Sequence, residues 1–373
     1  MKKILLITNG HGEDAVAGQI CQHLKNLAPD LPVTQLSLVK DLPGGGFSFR
    51  NLTFLLQDLR AGLVSNFIKD LLFLWKRRRE FTLVVAVGDM VPVLFARLVN
   101  APCIFVGVNK SSYYQYYGFG YTTVEKWLIK RWDQKVYVRD TATLETLQNF
   151  GIPATFAGNP LMDCIDFSQK LELSPIQTYI TLLPGSHGDA EQNFLDLAEV
   201  AKATTGQNPQ LDLKFLIPVP KKIYAKILPL VEKLKAQRQL TQPYKGSAEN
   251  SNLQNQFPYN LRLLSGYFGF CLEVAKVVVG LTGTANEQAA GLGKPVVAFS
   301  GRGSQYTVKF ARAQKQLLGE ALLLTTKEKA ADEITKLLNH AALRQKMGAE
   351  GQMRMVKSAA CEKIAQAILQ QAQ

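Results

Sequence analysis

The stretch Val277–Phe299, VVVGLTGTANEQAAGLGKPVVAF, contains the unit from which the rest of the chain can be read. Val277–Val279 is a short β-branched run and Pro295–Phe299 is a second, each bounded by turn residues and too short for a helix. Between them lie the small residues Thr282-Gly283-Thr284 and a helical pattern over Asn286–Gly291. Strand, turn, helix and strand make a βαβ unit with parallel strands. Thr284 is expected to cap a helix opening at Ala285, whose free N–H groups and partial positive charge suit an anion. Glu287, one turn in, has the acceptor oxygens that ribose hydroxyls need. Ordinary first-turn helix stabilisation accounts for it equally.

The same alternation runs outward through the chain. Strands are expected at Ile4–Thr8, Thr34–Leu38, Leu83–Val87, Cys103–Val106, Lys135–Val138 and Ala154–Phe156. A second set falls at Tyr179–Leu183, Lys214–Ile217, Leu261–Leu264, Val277–Val279, Pro295–Phe299 and Ala321–Leu323. Amphipathic helices at Asp14–Leu27, Ala142–Phe150, Asp189–Ala203 and Tyr224–Gln239 separate several of them. Six strands per half predict two doubly wound α/β domains, with the seam at Gly158–Ser174. We therefore expect domains at 1–165 and 175–345, and a helical tail, 346–373, packing back toward the first domain. Ligands in open α/β sheets gather beyond the carboxyl ends of the strands, so two such domains face to face would form a cleft with one ligand from each half. Thr241–Asn260, rich in Asn, Gln and Ser, reads as a surface loop.

Composition narrows the partners. The 373 residues are 47% hydrophobic and 20% charged, as a folded globular protein requires. A net charge of +13 and a pI near 9.4 call for an acidic partner: nucleic acid, nucleotide phosphate or anionic lipid. Five scattered cysteines without C-x-x-C spacing argue against a disulfide framework or zinc site and fit a reducing cytoplasm. The opening MKKILLITNG reads as a buried first strand meeting a glycine turn, not as a signal peptide. No apolar run reaches the roughly 18 residues a membrane span needs.

Four further stretches carry candidate chemistry. Leu182–Asp189, LLPGSHGD, repeats the strand–turn–helix design and places Gly185, Ser186 and His187 at a second anion contact, or simply at a tight turn. Thr8–Asp14, TNGHGED, opens space at a strand end with Gly10 and Gly12 and brings Asn9, His11, Glu13 and Asp14 to it. Asp14 reads best as an N-cap, whereas His11 between two glycines is ill suited to a core. Val87–Pro92, VGDMVP, sets Asp89 either as a general base for an acceptor hydroxyl or as the cap of a helix beginning near Val91-Pro92. Ser111–Tyr117 holds four tyrosines, among them Tyr113 and Tyr114, a density that suits a sugar-stacking acceptor pocket as well as a core.

Gly44–Glu80 is unusual for its bulk. Phe54, Phe67, Leu71 and Trp75 interleave with Arg50, Arg60, Lys69 and the run Lys76-Arg77-Arg78-Arg79. An aromatic, apolar face with basic residues alongside is what an interfacial helix needs on anionic lipid, each basic group adding roughly 1 kcal/mol. A core helix pair with a solvated end is the other reading. Basic residues interleaved with Leu and Phe, instead of lining a polar groove, argue against nucleic acid.

GHGEDAVAGQI, VGDMVP, AGNPLMD, LLPGSHGDAEQ and TGTANEQAAGLGKPVV together, in this order, resemble the lipid A disaccharide synthase family, in particular its disaccharide synthase-related branch. The likeness covers essentially the whole chain. A more distant likeness, to the peptidoglycan N-acetylglucosaminyltransferase acting on lipid-linked precursors, rests on the glycine turn with its Glu and on GRGSQY, which holds Arg302 and Gln305.

The resemblance implies the GT-B fold: two doubly wound Rossmann-like domains facing across a cleft. It implies an inverting glycosyltransferase that moves a sugar, of the N-acetylglucosamine type or a related hexose, from a UDP-sugar to a lipid-linked acceptor without a metal. UDP-sugar would lie on Gly185, Ser186, His187, Gly283, Thr284, Ala285, Asn286, Glu287, Gln288, Arg302 and Gln305. Asp89 would be the base with His11 beside it, and Asn9, Gly10, Gly12, Tyr113 and Tyr114 would line the acceptor side. The expected setting is a cytoplasmic protein, compatible with a homodimer, held peripherally on the inner membrane face. This chain departs from the family pattern at Asn9–Asp14, at His187 in place of an Arg, and at VNKSSYYQYYG in place of a tryptophan-containing stretch. A UDP-sugar 2-epimerase of the same fold, or a non-catalytic nucleotide-sugar or lipid-binding relative, are the alternatives.

Overall fold

The computed structural model describes residues 3–38, 63–132, 135–186, 188–239, 260–301 and 306–372. Phe54, His187, Arg302, Gln305, the side chain of His11 and residues 241–259 of the expected loop lie outside the described residues.

The first half runs β1 (Ile4–Thr8), α1 (His11–Leu27), β2 (Val33–Ser37), α2 (Leu63–Arg77), β3 (Leu83–Gly88), α3 (Met90–Ala96), β4 (Cys103–Gly107), α4 (Thr123–Trp132), β5 (Lys135–Val138), α5 (Thr141–Asn149) and β6 (Ala154–Phe156). The second runs β7 (Thr178–Leu183), α6 (Ala190–Gln207), β8 (Leu213–Val219), α7 (Lys221–Gln239), β9 (Leu261–Ser265), α8 (Phe268–Val274) and β10 (Val277–Gly280). It continues through α9 (Thr284–Gly291), β11 (Val296–Phe299), α10 (Val308–Leu318), β12 (Leu322–Thr325), α11 (Lys327–Asn339) and α12 (Ala341–Arg354), and α13 (Ala360–Ala372) closes the chain. Every expected strand is present, some ends displaced by one or two residues.

Two units result: Met1–Cys164 with Val356–Gln373, and Ile165–Met355. The tail expected to begin at 346 therefore divides. Helix α12 stays with the second unit because Gly348 and Gly351 let its backbone approach Gly293 and Ala290 too closely for any Cβ. Helix α13 belongs to the first. There the Asp163 carboxylate accepts the Cys361 N–H at 2.8 Å, the Asn159 N–H donates to the Val356 carbonyl at 2.9 Å, and Ser358 Oγ donates to the Ala157 carbonyl. The Gly158–Asp163 motif thus anchors the end of the chain.

Alternate residues of the first sheet fill two separate cores. Leu5, Ile7, Val84, Ala86 and Phe105 pack with Leu74, Val93, Ile129 and Leu147 of α2, α3, α4 and α5. Ile4, Leu6, Val85, Val87 and Ile104 pack with Val16, Ile20 and Leu24 of α1 and Ile364 and Ile368 of α13. Helices on both faces explain why these parallel strands read as continuous apolar runs instead of alternating ones. Each buried aliphatic side chain contributes about 1.5–3 kcal/mol.

The first sheet is ordered β2-β1-β3-β4-β5-β6 and the second β12-β11-β10-β7-β8-β9, with all neighbours parallel. The chain leaves β1 toward β2 and then crosses to β3. Likewise it runs from β7 through β8 and β9 before crossing to β10. Each crossing is a topological switch point, where the loops beyond two adjacent strands diverge and leave a crevice. The β1 and β3 loops are TNGHGED and VGDMVP; the β7 and β10 loops are LLPGSHGD and LTGTANE.

Candidate functional site

The crevice of the first unit is lined with carboxylates. Helix α1 starts at His11 with Gly10 as its N-cap, so Asp14 is not a cap. It lies one turn inside and accepts hydrogen bonds from Thr8 Oγ1 and from Ser37 Oγ, tying the ends of β1 and β2 together. Asp89 is the N-cap of α3: its Oδ1 accepts from the Val91 N–H at 2.9 Å and from Asn9 Nδ2 at 2.8 Å. That helix starts at Met90, one residue before the expected point. The second carboxylate oxygen of Asp89 takes no part in these two bonds, which orient the side chain through Oδ1.

Glu13 is the residue that sequence reasoning undervalued. It is 5% exposed and accepts a hydrogen bond from Asn109 Nδ2. Burial pushes its carboxyl above the ordinary range; a backbone N–H and Asn109 pull it back, and the charges of Asp89 and Asp14 push it up again. The room expected at the glycines is occupied by this side chain. A Cβ on Gly10 would stand 2.2 Å from Glu13 Oε2, and one on Gly88 2.5 Å from Asn9 Oδ1 and 3.0 Å from Glu13 Cγ. Gly12 sits in the first turn of α1 beside Leu161.

The tyrosine stretch divides. Tyr114 is buried, edge-on to Phe119 with ring centroids 6.4 Å apart, so it belongs to the packing of its 3₁₀ turn and not to an acceptor pocket. Tyr113 is half-buried. Tyr121 was not expected here. Its hydroxyl is buried, would stand 2.5 Å from a Cβ on Gly107, and is held protonated by burial and by Asp140, Asp89 and Glu125. Buried Asp140 caps α5 through the Thr143 N–H at 2.8 Å, and Arg139 donates to the Val108 carbonyl at 3.0 Å.

The crevice of the second unit is built from amides and small residues. The loops after β7 and β10 lie close together, with Thr282 Cγ2 3.9 Å from where a Cβ on Gly185 would be. Asn193 of α6 holds the first loop by donating to the Pro184 carbonyl at 2.9 Å. In the second loop Gly283, not Thr284, is the N-cap, and Thr284 is the first helical residue. Asn286 is fully buried: its amide donates to the Gly280 carbonyl at 3.1 Å and to Gln314 Oε1 at 3.0 Å, and accepts from Thr282 Oγ1 at 3.0 Å. Gln314 also accepts from the Tyr306 hydroxyl at 2.8 Å and donates to the Gly283 carbonyl at 2.8 Å. Burial raises the Tyr306 hydroxyl far above its usual range, so it acts as a fixed donor.

Of the expected donor set, Asn286 is fully buried and shapes the loop, and Gln288 and Glu287 are 8% and 4% exposed. Ser186 and Thr284 are exposed, and Gly185, Gly283 and Ala285 partly so. The accessible surface is the two turns themselves.

The residues expected at a membrane also separate. Phe67 packs edge-on against Phe95 with centroids 5.0 Å apart, and so belongs to the core side of α2. Ile68, Leu72 and Trp75, at i, i+4 and i+7, are 50%, 50% and 57% exposed and form an apolar stripe on the outer side. Lys76 and Arg79 are exposed, Arg78 lies over the Trp75 ring at 5.2 Å, and Arg77 is paired with Glu80 at 2.9 Å. Among the described residues no helix is long and apolar enough to cross a membrane.

No protein-family model matches the chain. A lipid-A-disaccharide synthase of Azoarcus sp. (strain BH72) is 26% identical over 161 residues, which are 41% of this chain and 36% of that relative, so the matched part spans about a third of its length. UDP-GlcNAc 2-epimerase from Neisseria meningitidis, solved with UDP-GlcNAc bound, superposes with a TM-score of 0.56 at 12% identity over 99% of this chain and all of that one. The glycosyltransferase SnogD from Streptomyces nogalater gives 0.51 at 12% identity, covering 100% and 99% of the two chains. The fold is GT-B: two doubly wound α/β units in one chain.

Proposed function

We propose that the chain is an inverting glycosyltransferase that transfers a sugar from a UDP-sugar to a lipid-linked acceptor. The observation that carries this reading is the contrast between the two switch points. One presents an oriented carboxylate, Asp89, among titratable groups; the other presents two turns whose N–H groups suit a diphosphate. Asp89, anchored through Oδ1, takes the proton of the acceptor hydroxyl as that oxygen bonds to the anomeric carbon. The bond from that carbon to UDP breaks, and the turns at Gly185-Ser186 and Gly283-Thr284 stabilise the departing diphosphate without a metal. Glu13, buried beside Asp89, keeps its proton to higher pH than an ordinary carboxyl. The stripe of Ile68, Leu72 and Trp75 with the neighbouring basic residues supports work at an anionic membrane surface.

The test is incubation with a panel of radiolabelled UDP-sugars and a membrane lipid extract, followed by separation of glycolipids. A labelled glycolipid that disappears with Asp89→Asn supports the transferase. The full-length likeness in fold to a UDP-GlcNAc 2-epimerase favours a second reading. Conversion of UDP-GlcNAc in the absence of any lipid would replace the first reading with that one.

A further inference from the structure

Away from both switch points, the amino-terminal edge of the first sheet carries an open basin of about 650 Å³ lined by Arg78, Arg79, Arg97, Trp132 and residues 98–102. Arg78 and Arg79 lie in the loop entering β3; Arg97 and Asn100 lie in the loop entering β4. The two loops are joined by the Asn100 N–H donating to the Arg78 carbonyl at 3.2 Å. No carboxylate lines the basin. The nearest acidic neighbour in sequence, Glu80, is engaged by Arg77 at 2.9 Å and Lys3 at 3.2 Å. Among the described residues none forms an ion pair with Arg78, Arg79 or Arg97. Arg97 instead lies over the Trp132 ring at 5.3 Å and Arg78 over Trp75 at 5.2 Å, contacts that orient the guanidinium planes and leave their N–H edges available.

Three like charges gathered without a counter-ion repel one another, and an anion placed among them relieves that repulsion. Guanidinium forks match phosphate oxygens in pairs, and the lining is predominantly polar, as a small charged ester requires. We propose that this basin is a binding site for a phosphate monoester, either a free ester or the headgroup of a phospholipid. The site is separate from the transferase reading, and its test reads binding alone.

The wild-type chain is titrated with glycerol phosphate by calorimetry and, separately, sedimented with phosphatidylcholine vesicles with and without phosphatidic acid. Saturable binding is expected, weakened about tenfold or more in Arg79→Gln/Arg97→Gln, whose two lost charges act near the anion. Lys346→Gln, which removes an exposed charge in the second unit, should leave it unchanged. Binding to both probes that is lost in the double variant supports the site with a lipid as its source; binding of glycerol phosphate alone supports it with a soluble ester. If the double variant fails to fold, Arg79→Gln alone, at an exposed side chain, should still weaken binding several-fold. Absence of saturable binding to either probe, or an equal loss in Lys346→Gln, overturns the proposal.

Discussion

A glycine ends the strand beside the switch point in each unit, Gly88 in β3 and Gly280 in β10. Both make room for a side chain that reaches back from the helix after a neighbouring loop or its own. At Gly88, whose φ is +132°, the nearest group is the Asn9 amide oxygen at 2.5 Å, with Glu13 Cγ behind it at 3.0 Å. At Gly280 it is Asn286, whose Oδ1 would lie 1.8 Å from an added Cβ. Both slots meet an amide oxygen first, but in the first unit a titratable acid, Glu13, stands directly behind it, and in the second the amide of Asn286 fills the slot alone. In the second unit the turn is held by Asn286, Gln314 and Tyr306, all hydrogen-bonded and none charged. In the first unit burial raises the Glu13 carboxyl, and the charges of Asp89 and Asp14 push it the same way. The difference teaches that a shared fold leaves chemistry to the few side chains at the switch point.

The contrast breaks most directly at Asp89. Replacing it with Asn keeps an acceptor for the Val91 N–H but removes the base, and kcat should fall about 10²–10⁴-fold while UDP binding, measured by calorimetry, is unchanged. Equal loss of UDP affinity would mean that the two crevices do not divide the work. Next in size is Gly280→Ala, which forces the buried Asn286 out of its network. It should cost about 1–3 kcal/mol in urea unfolding and weaken UDP binding. Gly88→Ala, strained in its backbone as well as crowded, should cost a similar amount and lower turnover while sparing UDP affinity.

Gln314→Leu leaves the Tyr306 hydroxyl and the Asn286 amide without their shared partner, at about 1–3 kcal/mol, and loosens the Gly283 turn. A UDP affinity unmoved by it would show that the network supports the fold alone. The smallest effect concerns pH. Because the folded Glu13 carboxyl lies above its ordinary value of 4.5, the native state binds more protons than the unfolded one just above that pH. Its contribution is therefore fully present below the ordinary value and is lost as pH rises through the folded one. Glu13→Gln should remove this dependence, so that melting temperatures of variant and wild type diverge in the variant's favour as pH increases.

All the strands were legible because a parallel strand covered on both faces is a continuous apolar run, as in Leu83-Val84-Val85-Ala86-Val87, and local composition suffices to find it. The candidate loops were legible because they follow those strands, and Asp89 was legible as a helix cap because an Asp at a strand end before Val91-Pro92 suits that position. What the amino acids in order did not disclose was which polar groups are out of water and what they meet. Glu13 meets Asn109 from 96 residues away, Asn286 meets Gln314 from 28, and Asp163 caps the last helix from 198. Desolvation and hydrogen-bond partnership are properties of that assembled neighbourhood. They turned an expected cap at Asp14 into a strand tie, put the Asn286 side chain into a buried hydrogen-bond network, and raised the carboxyl of Glu13, which the sequence offered only as one polar group at a strand end.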